Sequence, residues 1–296
     1  MSDQTKPTVY FCREITPENV VRLYEALDVQ LPGLVAVKVH SGEKGNQNYL
    51  RPAFLKPMID AVQGTVVECN TAYDGERNST EKHRHLMAEH GWSELFDVDI
   101  MDDEGPDLVL PIENGRVLRE NYVGAHLADY SSMLVLSHFK GHPMGGFGGA
   151  LKQLSIGCAS TAGKAHIHSG GATCDQVECW EMVAEQDDFL EAMAEAAETV
   201  VNHFGSNLAY VTIACNLSVD CDCCAVAEDP CMGDIGIFAS TDPVAIDQAC
   251  IDAVLASDDP GRDHFMERVN SRHGTKIIDD AARLGYGSKA YELVEL

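Results

Sequence analysis

The segment SMLVLSHFKGHPMGGFGGALKQLSIGCAS, residues 132–160, decides the fold. Its apolar run, Met133 to Leu136, has the length and character of a buried strand. His138, Lys140 and His142 follow, alternating with small or apolar residues, and five glycines lie between Gly141 and Gly149. A helix-like stretch then starts near Ala150 and carries Lys152. A strand that empties into a polar, glycine-rich loop before a helix is where α/β proteins place ligands. Glycine lets backbone N–H groups approach a bound group, and histidine ligates metals or moves protons.

The same grammar recurs along the chain. Leu34–Val39, Thr65–Cys69, Tyr210–Ala214 and Ile235–Ala239 read as further apolar strands. Their loops hold His40 and Glu43, then Asn70, Tyr73, Asp74 and Arg77, then Cys215, and lastly Asp242. Helices are expected at Glu18–Leu27, Pro52–Val62, Thr80–His90 and from Pro243, with Thr16 and Asp242 as caps. A long helix is expected over Thr173–Phe204 after a Thr-x-x-Gln cap, and a hairpin at Glu113–Arg116. Alternating strands and helices predict an α/β fold: a mostly parallel sheet flanked by helices, with loops at the strand C-terminal ends forming one site. One unit is expected over residues 1–296, with a weak sub-boundary in the acidic segment near 102–106.

Bulk properties narrow the function. The formal net charge of −26 argues against nucleic-acid and anionic-membrane partners, which need a basic face. No apolar run is long enough for a transmembrane helix, and the first residues lack the apolar core of a leader, so a cytoplasmic location is expected. Eleven cysteines in such a compartment are not a disulfide framework, and Cys12, Cys69 and Cys250 sit in apolar runs as buried thiols.

The strongest chemical signal is Cys221-Asp-Cys223-Cys224 with Cys231 beyond. In an extended segment, residues two apart point the same way, so Cys221 and Cys223 can share a metal. Cys231, Cys224, Cys215, or histidines such as His166 and His168 on one face of an extended segment, are candidates to complete the set. The spacing is neither a zinc ribbon nor a ferredoxin run. Zinc, iron and a [4Fe–4S] cluster all remain open. His138, His142, Lys140, Glu43 and Asp74 are the candidate acid–base groups. Gly145, Gly146, Gly148 and Gly149, with Lys152, Arg77 and Asn70, are the candidate holders of an anionic substrate, in part at the following helix N-terminus. His83, His85 and His90, on a charged helix, read as solvated surface.

These residues resemble the domain of unknown function 362 family, prokaryotic proteins often described as iron–sulfur binding. The resemblance is carried by His138-Phe-Lys-Gly-His142, Gly145-Gly-Phe-Gly-Gly149-Ala-Leu-Lys152, Gly157-Cys158-Ala-Ser160, the Cys221/Cys223 step and the segment from Asp234 to Asp247. The Asn70-x-x-Tyr73-x-Gly75-x-Arg77 loop fits as well. Many relatives carry a ferredoxin-type insert where this chain has only His166, His168, Cys174 and Cys179. The leading expectation is a metal- or cluster-binding oxidoreductase acting on a small anion, with a redox partner protein. A non-redox zinc or iron hydrolase, lyase or isomerase, and a metal-binding module without catalysis, are the alternatives.

Overall fold

The computed structural model describes residues 6–296. The first five residues, part of the stretch in which no leader was read, lie outside that range. Twelve strands occur among the described residues: β1 (Thr8–Cys12), β2 (Val35–Lys38), β3 (Thr65–Glu68), β4 (Val98–Ile100), β5 (Leu108–Pro111), β6 (Glu120–Val123), β7 (Ser132–His138), β8 (Lys140–His142), β9 (Gly146–Gly148), β10 (Leu208–Ala214), β11 (Gly236–Ser240) and β12 (Glu292–Glu295). Eight form one sheet in the order β12-β1-β11-β10-β7-β2-β3-β4. Its pairs are parallel except those of β11, which runs against both β10 and β1.

The central strands β7 and β10 are buried at all seven positions each, as a sheet covered on both faces requires. Alternate residues feed two cores. Met133 and Val135 pack on one face with the helix Gln186–Phe204, and Leu134 and Leu136 pack on the other. From β2 the chain steps outward to β3 and β4, then returns to place β7 on the other side of β2. That reversal between β2 and β7 opens the crevice where such sheets bind ligands.

Four of the five predicted site strands, β2, β3, β7 and β10, share a direction, and their C-terminal ends meet at one edge. The fifth, β11, is reversed, so Asp242 lies at the far edge. There it caps the helix Pro243–Ala256, accepting from Val244 and Ala245 N–H. The reversal also keeps the whole β10–β11 connection, residues 215–235 with the cysteine run, at the site edge.

Two local expectations fail for tertiary reasons. The long helix begins at Gln186, not Thr173. In between, Asp175 accepts from Val177 and Glu178 N–H, and Trp180 Nε1 donates to Ala72 O, drawing the segment onto the site edge. Met182, expected on the helix's apolar stripe, is instead exposed. Secondly, His166 and His168 lie on a helix, Thr161–His168, which Ser160 caps by accepting from Gly163 N–H. Residues two apart on a helix diverge, so the two rings part company. The Asn114-Gly115 hairpin does form, but β5 and β6 pair from Pro111↔Glu120 outward, with a longer loop than a two-residue turn. Glu195 of the long helix fills that loop, accepting from Val117 and Leu118 N–H. His83 is fully buried because the inward stripe of its helix runs through it with Leu86 and Met87.

Candidate metal and anion site

The ends of β2 and β3 carry a lysine and a glutamate into the sheet interior. Lys38 and Glu68 pair at 2.7 Å, and Arg77 reaches Glu68 at 3.6 Å and Glu43 at 3.3 Å. Burial alone would raise the Glu68 carboxyl, but Lys38, with His40 and Arg77, holds it well below the usual range. A charged residue closing an apolar strand was the available signal for this pair, because buried charges need partners. Glu43, a predicted acid–base group, is spent here: it also accepts from Lys44 and Glu76 N–H and from Tyr73 Oη. Asp74 is exposed and accepts from Asn78. Asn70 bonds His83 and Thr80 behind the wall.

At the end of β7, the reading of the sequence missed Asp222. Its carboxylate, 1% exposed, accepts from His138 Nδ1 at 2.9 Å and pairs with Lys140 at 3.0 Å. His138 also donates from Nε2 to Cys215 O at 2.7 Å, so the ring is doubly protonated. Burial would lower its pKa, but Asp222 outweighs burial and pushes it up to about 10. An imidazolium so held orders the β7 end; its protons are not free to move. Of the other acidic residues near the cysteines, Asp220 pairs with Arg268, Glu228 contacts His264, and Asp229 accepts from Gln47 Nε2.

His142, Cys221 and Cys223 form a group whose ligand atoms lie within 4.8 Å of one another. The β8–β9 turn presents the imidazole: Met144 and Gly145 N–H donate to Nδ1, and Nε2 faces Cys223 Sγ at 3.8 Å. With Nδ1 accepting both, the neutral ring carries its one proton on Nε2, and ligation through Nε2 would require that proton to move to Nδ1. Lys152 Nζ stands 3.1 Å from Cys221 Sγ. Burial would raise the Cys221 thiol, but the Cys223 hydrogen bond and the Lys152 and Lys140 ammoniums bring it well below the usual range. Cys223 is pushed the other way by its bonds to Cys221 and Cys224, so the pair holds one thiolate and one thiol. Two sulfurs and one nitrogen suit a thiophilic ion such as zinc. His40, also missed in the sequence, abuts Cys221, and burial lowers it to about 4.

The other predicted ligands are not in this group. Cys231 Sγ donates to Leu217 O, Cys215 gives its carbonyl to His138, and Cys224 lies beside Cys223. His166 packs edge-on against Tyr122, and His168 lies between Trp180 and Phe189.

A cavity of about 230 Å³ opens beside the group, with Cys223 and His142 in its wall. Lys38, Arg77, Lys140, Lys152 and Lys164 line it, against Glu68 as the one carboxylate among the described residues. Gly148 and Gly149 line it too. Gly146 has φ +79, and an added Cβ there would meet Gly274 at 2.7 Å, so the turn admits only glycine. No anion is held by the helix start that follows: Asp247 already accepts from Ala150 and Leu151 N–H. The glycines bring the chain close to that carboxylate instead.

The match to a family model described as a domain of unknown function (DUF362) runs over residues 35–252. The chain belongs to this family. Its members' shared segment thus covers β2 to the helix after β11, the elements that build the site. No curated protein matches the chain. Among solved structures, the chain is similar to the lactate racemase apoprotein from Thermoanaerobacterium thermosaccharolyticum, at 12% identity and a TM-score of 0.40, over 69% of this chain and 50% of that one. It is also similar to a protein from Thermotoga maritima, at 10% identity and a TM-score of 0.44, over 90% and 58% of the two chains. The chain thus spans between half and three-fifths of the length of these structures. No helix among the described residues is long and apolar enough to cross a membrane.

Proposed function

We propose that this protein is a non-redox metalloenzyme, of the hydrolase, lyase or isomerase type, acting on a small anion. One observation carries the reading: His142, Cys221 and Cys223 form one group, and two of them, His142 and Cys223, line a cavity whose cations outnumber its carboxylates. Three protein ligands with an open side are the pattern of a catalytic rather than a structural zinc site. A bound divalent ion would supply Lewis-acid polarisation of a substrate oxygen. The chain supplies the rest. Lys152 stabilises the Cys221 thiolate, and Asp222 fixes Lys140 and His138.

Around the cavity, Lys38, Arg77, Lys140, Lys152, Lys164 and the His138 imidazolium face the carboxylates of Glu68, Glu43 and Asp222 and the Cys221 thiolate. A buried surplus of positive charge is costly unless an anion completes it. In a chain of net charge −26 this local inversion favours an anionic substrate.

A cubane cluster takes four cysteine ligands, and the converging set offers two cysteines, which favours this reading over the iron–sulfur oxidoreductase and its redox partner. Anaerobic purification followed by metal analysis and visible absorption tests it. Stoichiometric zinc in colourless protein is expected, lost in the Cys221→Ser, Cys223→Ser double variant. Iron with acid-labile sulfide would overturn it in favour of the redox reading. Metal retained by the double variant would overturn the ligand assignment.

A further inference from the structure

One cation of the cavity wall stands apart from the others. Lys38, Arg77 and Lys140 each have a carboxylate, and Lys152 has the Cys221 sulfur. Lys164, 6% exposed, donates to Ala159 O at 2.5 Å and makes no ion pair among the described residues. Its ammonium is held below its usual pKa, chiefly by burial. Gln153 lines the same cavity and is equally buried. A buried ammonium with no counter-ion among the described residues is expensive, and a ligand carboxylate relieves it.

The rest of the wall is of different character. Ile156, Trp180, Phe189 and Met193 line the cavity, and the His168 ring sits 5.2 Å from the Trp180 ring and 5.0 Å from that of Phe189. His168 itself adds no charge. It donates from Nδ1 to Lys164 O, and burial lowers its pKa to about 4. The volume of about 230 Å³ lies below the ~300–1,000 Å³ of pockets that take drug-sized ligands.

We propose that the cavity takes a small carboxylate with an apolar body, its head on Lys164 and its body against Ile156, Trp180, Phe189 and Met193. One ammonium without a counter-ion matches a monoanion, whereas a phosphate dianion asks for more donors. The proposal deepens the anion half of the functional reading and does not depend on the metal half.

Tryptophan emission reads the site, because of the two tryptophans Trp92 is fully buried in the core of the opposite sheet face and Trp180 lines the cavity. The probes are hexanoate, hexanol and inorganic phosphate, titrated into the full chain both zinc-loaded and chelated. Hexanoate is expected to change the emission saturably in both states, with hexanol weaker by roughly tenfold or more, the scale of a charge-assisted hydrogen bond. Phosphate should not displace it. Lys164→Gln should weaken hexanoate by a similar factor and leave hexanol unchanged, and Lys164→Arg should restore much of the binding. If circular dichroism shows Lys164→Gln misfolded, Gln153→Glu serves, setting a carboxylate against the ligand's own with the same expected loss. No response to hexanoate, equal binding of hexanol, hexanoate binding unaltered in the folded variant, or displacement by equimolar phosphate would each overturn the proposal. The metal content of the protein is read separately, so a colourless, metal-free chain that still binds hexanoate sinks only the metal reading.

Discussion

Asp222→Asn is the sharpest perturbation of the site's electrostatics. In the folded protein Asp222 is enclosed between His138 and Lys140, and burial, which alone would raise its carboxyl, is outweighed by these two cations. The amide leaves an imidazolium and an ammonium buried with no counter-charge. Removing one partner of a buried pair costs about 3–5 kcal/mol. The His138 value is consistent with that size: a rise from 6.5 to about 10, at ~1.4 kcal/mol for each tenfold change in proton affinity, is worth several kcal/mol. The sign follows from linkage. A histidine whose folded pKa is raised stabilises fully below 6.5, and the contribution fades as pH climbs to about 10. The parent protein should therefore lose stability across that window. The variant should melt on the order of 10 °C lower at neutral pH and show a flatter slope above it, since His138 no longer gains from protonation. The assay is thermal and urea denaturation between neutral pH and pH 10 with chelator present, so that metal loss does not enter. A change below about 1 kcal/mol, with the parent's pH slope intact, would refute the buried-triad argument.

Two further perturbations probe the start of the helix that carries Lys152. Gly149→Ala places a Cβ 2.3 Å from Asp247 Oδ1, so either the carboxylate or the helix must move, at a cost of about 1–3 kcal/mol; an unchanged urea midpoint would show that the approach is slack. Burial pushes Asp247 up to about 7 from its ordinary 3.8, so the folded state prefers the protonated acid and stability should decline as pH rises between those values. Asp247→Asn should abolish that decline, which denaturation at the two ends of the window measures; persistence of the slope would assign it to other groups.

The sequence determined the α/β class, because apolar runs of strand length, each closed by a polar loop and a helix signal, are local features. It also determined that Cys221 and Cys223 can act together, since alternation along an extended segment is local as well. Caps such as Thr16 and Asp242 were legible for the same reason. What the sequence could not settle was anything set by contacts between distant segments. The reversal of β11 depends on which neighbours it pairs with, and that pairing alone sent Asp242 to the far edge and kept the cysteine loop at the near one. The start of the long helix at Gln186, with the preceding segment held by an indole that finds a carbonyl on another loop, was of this kind. His142 joins the cysteines and His138 does not, although both sit in one short segment, because Asp222 lies within reach of one ring and the sulfurs within reach of the other. Lone buried charges in Leu34–Val39 and Thr65–Cys69 were visible as letters. That Lys38 would meet Glu68, while Lys164 would meet no carboxylate among the described residues, is a property of the packed sheet edge.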